Sequence, residues 1–166
     1  MTAMEDSELA HRARRTLERI TNAVLATVSP DGRPWNSPLY VAFDAHLTFY
    51  WSSHTDTAHS RNIAANASVV LVIFDSTLPD HSGQAVFIEG TARELADYGS
   101  IEAGLECIAQ RKNESPKAPT EFVGAHPRRV YAAVPTAIWT NVVKEHDGHY
   151  FDERVTINLL IDHTRS

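Results

Sequence analysis

Cysteine is almost absent from this chain, with Cys107 the only one in 166 residues. A single thiol rules out an internal disulfide and any cluster of thiolate metal ligands, and it fits a reducing compartment. Long apolar runs are missing too. The longest, Val69–Phe74, falls far short of the ~20 residues that cross a bilayer as a helix. The opening residues include Glu5, Asp6, Glu8, Arg12, Arg14 and Arg15 where a secretory leader would carry an apolar core, so a cytoplasmic location with no membrane partner is expected. Positive charge is not in excess: 15 Lys and Arg stand against 21 Asp and Glu, a net charge of −6, which argues against nucleic acid as a partner. No Gly-x-Ser-x-Gly, P-loop or Gly-x-Gly-x-x-Gly segment occurs, leaving serine hydrolase and nucleoside-triphosphate chemistry without support. Nine histidines are present, but His146 and His149 flank a glycine turn without the Cys or Glu companions of a recognisable zinc site. No metal is expected.

What is present reads as one domain, residues 1–166, since roughly 100–200 residues is the usual size of a domain. With 43% hydrophobic residues the chain can bury a core. Leu9, Ala13, Leu17 and Ile20 recur at helical spacing, predicting a helix over Ser7–Ile20 with Asp6 or Ser7 as N-cap. Val- and Leu-rich Ala23–Ser29 reads as a strand, Pro30-Asp31-Gly32-Arg33 as a turn, and Trp35–Phe43 and His46–Ser52 as two more strands of a meander. A short helix over Ala58–Asn66, capped by Thr55, Asp56 or Thr57, leads to the apolar strand Val69–Asp75. After a loop at Thr77–Gly83, Gln84–Leu95 is a long strand bent at Gly90. Ile101–Arg111 is helical and Asn113–Thr120 a connector. Arg129–Val134 and Ala137–Val143 are strands either side of Pro135, a residue better tolerated at a bulge or sheet edge. His149–Phe151 and Arg154–Leu160 form a last pair. Many short strands with few helices point to a mainly β antiparallel barrel with helical inserts.

The chemistry concentrates where a strand runs into a helix, at Trp51-Ser52-Ser53-His54-Thr55-Asp56-Thr57-Ala58-His59-Ser60-Arg61. Free backbone N–H groups and the positive end of a helix dipole make an anion site there. Ser52, Ser53 and Ser60 add hydroxyls, His59 a titratable donor, and Arg61 a permanent charge suited to phosphate. The same residues also suit an ordinary capped helix with Arg61 in solvent. Cys107, at helical spacing with Leu105 and Ile108, reads as a small buried hydrophobe.

These residues carry a resemblance. Ala26-Thr27-Val28, Asp31-Gly32-Arg33-Pro34, Ser37-Pro38-Leu39-Tyr40, Ser60-Arg61-Asn62-Ile63 and Gln84-Ala85-Val86-Phe87-Ile88-Glu89-Gly90, in that order, resemble the pyridoxamine 5′-phosphate oxidase-related, FMN-binding split-barrel family. The likeness covers roughly Thr21–Leu95, with weaker echoes around Pro135–Asn141. It implies a six-stranded antiparallel split β-barrel that forms a homodimer with FMN at the shared interface. By that likeness Ser37, Pro38, Leu39 and Tyr40 line the flavin ring, and Trp51, Ser52 and Ser53 flank ring, ribityl chain or phosphate. His59 falls where many relatives have a phosphate-binding lysine, Gln84 near a flavin-contacting glutamine, and Trp139 at an aromatic reaching over from the other subunit. As core or cap, Leu39, Tyr40, Trp139 and Gln84 have plain structural readings as well.

One departure stands out. Relatives carry two basic residues where this chain has Ala58-His59, and the C-terminal Arg/His substrate motif of true pyridoxamine-phosphate oxidases has no match in Tyr150–Ser166. The function implied is that of a flavin-dependent oxidoreductase of unspecified substrate, in which the flavin performs the electron transfer and no side chain is named as catalytic. A non-catalytic module carrying a flavin, a deazaflavin or haem is the main alternative, and an apo member whose site has decayed is another.

Overall fold

The helix of highest charge opens the chain. In this computed structural model, which describes residues 3–78 and 85–159, α1 (Ala3–Arg19) begins four residues earlier than its apolar spacing predicts. Glu5 and Asp6 lie in its first turn, where the helix dipole favours negative charge. Asp6 and Ser7 are therefore helical residues, not caps. Leu9, Ala13 and Leu17 form the buried stripe, as their spacing requires, while Ile20, the fourth of that series, falls just past the end of the helix and packs half-buried against the core.

The strands are β1 (Asn22–Val28), β2 (Pro34–Tyr40), β3 (Ala42–Phe43), β4 (Phe49–His54), β5 (Ser68–Phe74), β6 (Ala85–Glu94), β7 (Arg128–His146) and β8 (His149–Thr156). Between them run α2 (Ala58–Ala65), α3 (Tyr98–Lys112) and a single 3-10 turn at Pro119–Phe122. One antiparallel sheet contains all eight strands in the order β2-β1-β5-β6-β7-β4-β3, with β8 added alongside β7. The ends of that order, β2 and β3, are consecutive in sequence with Val41 alone between them. The two edges of the sheet therefore meet at Val41, which is buried and donates its N–H to the Thr21 carbonyl at 2.9 Å.

Eight strands replace the six expected. Val41 divides Trp35–Phe43 into β2 and β3, so the anticipated meander is incomplete: β2 pairs with β1, while β4 pairs with β3 and β7. β4 starts at Phe49 instead of His46, because the Asp44 carboxylate accepts from the N–H groups of His46 and Thr48 (2.9 Å each) and holds a turn. Leu47 closes that turn at φ +61°. Pro135 does not split β7, which is continuous over 19 residues. The register slips between Glu89 and Gly90, leaving Thr136 as a bulge opposite β6. Gly90 is required at that bulge, since a Cβ there would stand 2.4 Å from the Val134 carbonyl oxygen. The last pair is also a single strand, β8, and Leu160 lies outside the described residues.

Alternation along β1 and β5 sends Leu25, Leu71 and Ile73 inward to meet Leu9, Leu17, Phe49, Trp51 and Ile88 in the main core. A smaller core under α3 joins Leu95, Ile101, Leu105, Phe122 and Val130. The outward residues of the same strands line up by register: Pro38 opposite Val24, Val24 opposite Val72, Val72 opposite Phe87, and Phe87 opposite Trp139. Every member of that row is half-buried or exposed. It forms an apolar band across five strands. Among the described residues no helix is long and apolar enough to cross a membrane.

Candidate functional site

Thr57 decides where α2 begins. Its backbone is extended (φ −70°, ψ 151°) and its hydroxyl accepts from the Ser60 N–H, an N-cap that starts the helix at Ala58. The first turn of a helix leaves backbone N–H groups without an intrahelical partner. Those of this helix lie directly after β4, whose end is tied down by Thr55 N–H donating to the Pro127 carbonyl at 2.8 Å.

His59, in that first turn, is 6% exposed. Its Nδ1 lies 3.1 Å from Ser37 Oγ on β2. Its Nε2 lies 2.8 Å from Ser53 Oγ on β4 and 3.1 Å from Thr57 Oγ1. Ser37 Oγ also accepts from the Trp35 indole N–H at 3.2 Å. Both ring nitrogens are thus engaged by hydroxyls, and burial pushes the imidazole's pKa below its ordinary value. The ring favours its neutral form, and its visible work is to join β2, β4 and α2.

A second line of bonds extends the cluster inward. Thr57 donates to Ser60 Oγ at 2.8 Å, and Ser60 in turn hydrogen bonds the Tyr131 hydroxyl. Tyr131 stacks on Trp51 with ring centroids 5.7 Å apart and 13° between planes. Trp51 is 1% exposed, and its indole nitrogen has no hydrogen-bond partner among the described residues. Asn62 donates to Thr27 Oγ1 at 3.0 Å, which fastens α2 to β1.

The structure therefore gathers Ser37, Ser53, His59 and Ser60 into one buried cluster, with Trp51 packed beneath it. Ser52 faces the other way, half-buried, beside the exposed Arg128, whose Nη2 donates to Ser52 Oγ at 3.3 Å and to its carbonyl at 3.5 Å. Arg61 is exposed and donates to the Asp56 carbonyl. Along β2, Pro38 is exposed, Leu39 packs on the main core, and Tyr40 lies under the Lys112 ammonium at 4.9 Å. Trp139 belongs to the outer band, with β1, β5 and β6 between it and Pro38, so within one chain it does not join the cluster. Gln84 lies outside the described residues.

Sequence reasoning missed Tyr131, Thr27 and Arg128. Tyr131 and Arg128 enter through the pairing of β4 with β7, Trp51 opposite Tyr131 and His54 opposite Arg128, which no local pattern announces. Among the described residues no group of three or more His, Cys, Asp or Glu is placed to hold a metal.

The family model for pyridoxamine 5′-phosphate oxidase matches residues 9–134. A protein of unknown function from Agrobacterium tumefaciens superposes with a TM-score of 0.66 at 19% identity, covering 81% of this chain and 56% of that one, so this chain spans little more than half of that relative. A putative pyridoxamine 5′-phosphate oxidase from Listeria innocua gives 0.60 at 22% identity, covering 80% of this chain and 97% of that chain. The haem storage protein HutZ from Vibrio cholerae gives 0.60 at 16% identity, covering 75% and 89%. At such identities these likenesses speak to the fold alone. Among curated proteins none matches the sequence.

Proposed function

Because the chain belongs to the pyridoxamine 5′-phosphate oxidase family, we propose that it binds a flavin, FMN, and serves as a flavin-dependent oxidoreductase. One observation carries the reading. The Ser37–His59 bond holds β2, whose outer edge pairs with no other strand among the described residues, next to the N-terminus of α2. A free strand edge offers backbone N–H and C=O groups to a planar heterocycle, and a helix N-terminus offers N–H groups to its phosphate.

The donors present suit the ligand. Backbone groups of Ser37–Tyr40 would meet the ring edge. The first-turn N–H groups of α2, the Ser52 hydroxyl and the Arg61 guanidinium would meet the phosphate. Neutral His59 acts as a brace that keeps the ring-binding and phosphate-binding elements in register. Trp51 and Tyr131 form a rigid apolar floor that keeps water from the inner side. A bound flavin supplies the hydride or electron transfer, and the protein supplies orientation and a polarised pocket.

The outer band supports a homodimer. Val24, Val72, Phe87 and Trp139 make an apolar row that α1, α2 and α3 leave uncovered while packing into the two cores, with the Arg154 guanidinium lying over the Phe87 ring at 4.0 Å. Such faces mark association sites, and a two-fold copy is the simplest cover. Pairing would also bring the partner subunit's Trp139 toward the flavin site, which one chain cannot do.

A non-catalytic carrier of a flavin, a deazaflavin or haem is the second reading, favoured by the likeness of the fold to that of the haem storage protein HutZ. Mass spectrometry of the ligand released from purified protein tests the proposal. FMN is the expected result, followed by turnover of NAD(P)H with the loaded protein. Recovery of haem would overturn the flavin reading, and FMN without turnover would select the carrier.

A further inference from the structure

We infer that Arg128, on a strand remote in sequence from the helix, is the cation that grips the anionic end of the ligand together with the Ser52 hydroxyl. The inference rests on the flavin reading and assigns the charge that the Ala58-His59 pair fails to supply. Ala58 is apolar. His59 is buried, with both ring nitrogens occupied by Ser37, Ser53 and Thr57, so bringing a proton onto it has to work against desolvation.

Arg128 stands in the opposite situation. It is exposed, and its position is fixed by register opposite His54, at the point where β4 turns toward α2. The neighbouring Thr55–Pro127 bond of 2.8 Å holds that corner together. Its guanidinium lies over Ser52, bound through Nη2 alone at 3.3 and 3.5 Å. A guanidinium has five N–H donors, so most of its donors remain for a ligand. Among the described residues Arg128 has no carboxylate partner, whereas adjacent Arg129 is bound to Glu94 at 3.0 Å and Arg33 to Asp31 at 3.0 Å. An uncompensated arginine beside a hydroxyl, in a chain of net charge −6, fits a phosphate monoester: two N–H groups and one O–H converge on it, with the α2 N-terminus next along the chain. Arg61, exposed on α2, is bonded back to the Asp56 carbonyl within the cap.

The test is equilibrium binding of FMN and of riboflavin, followed by flavin fluorescence, to the wild-type protein, Arg128→Ala and Arg128→Lys at two salt concentrations. Arg128→Ala should weaken FMN roughly ten- to a hundredfold, the range for losing a charge-assisted contact, and change riboflavin less than about twofold. Arg128→Lys should recover part of the loss, and the salt dependence of FMN binding should be shallower in Arg128→Ala than in the wild type. Equal losses for both ligands, or no loss for FMN, would overturn the role of Arg128 while leaving the flavin reading in place. A wild-type protein that binds neither flavin would overturn both.

Discussion

Ser52 and Ser53 are neighbours with the same side chain, yet the fold gives them opposite duties. Ser53 points inward and bonds His59 within a buried cluster that also takes in Ser37, Thr57 and Ser60. Ser52 points outward to the rim, where Arg128 and solvent meet it. The strand's period of two makes this division. It separates a floor that builds the site from a rim that has groups to spare for a ligand. Polarity alone does not mark a binding residue. What marks it is unspent hydrogen-bonding capacity within reach of a ligand, which the rim has; in the floor the indole N–H of Trp51 is unpaired among the described residues but buried.

Trp51→Ala tests the floor most severely. Removing a fully buried aromatic that stacks on Tyr131 should destabilise the fold by about 3–5 kcal/mol, read as a lower urea midpoint with an unchanged slope. A loss below about 1 kcal/mol would mean that the floor is not packed as described. The serine pair sharpens the contrast. Ser53→Ala leaves His59 without its shortest hydroxyl contact and should cost about 1–2 kcal/mol, while Ser52→Ala should stay within about 0.5 kcal/mol. Equal effects would erase the division between floor and rim.

The pH dependence of stability examines His59 itself. Burial lowers its pKa in the folded state, so on acidification the unfolded chain, titrating near ~6.5, takes up a proton that the native state refuses. Stability attributable to His59 is therefore complete above ~6.5, declines as pH falls from that value toward the lowered native pKa, and levels off below it. In His59→Gln that part of the slope should vanish, as measured by urea unfolding across mild acid. Parallel profiles for the two proteins would show that His59 titrates alike folded and unfolded. The smallest effect belongs to the rim. Ala58→Arg adds a cation at the first helical position and should tighten FMN binding by a few-fold, with riboflavin unmoved. Unchanged FMN affinity would place the phosphate away from α2.

How far these regions could be read from sequence follows the same line. The stripe Leu9–Ala13–Leu17, the Thr57 cap and the bend at Gly90 are local, encoded in spacing, cap chemistry and a glycine, and the structure has them where the sequence implies. The division of Trp35–Phe43 at Val41 was not legible, because the break comes from the meeting of two sheet edges. The passage of β7 through Pro135 was hidden for a related reason: the bulge that accommodates the ring is a property of two strands. At the site, Ser53, His59 and Ser60 were legible as a polar group near a helix start, and Ser37 only through the family resemblance. Their roles were not, since the engagement of both His59 nitrogens depends on β2 arriving from 22 residues away. Arg128 was invisible for the same cause, lying 76 residues from Ser52.

Native mass spectrometry of the purified protein tests the central claim most directly. A flavin site built between two copies of this chain predicts one dominant species, two 18.4 kDa chains carrying two FMN molecules, with the flavins lost when the dimer is dissociated. A single chain that retains one flavin, or a dimer with no flavin after incubation with FMN, would contradict it.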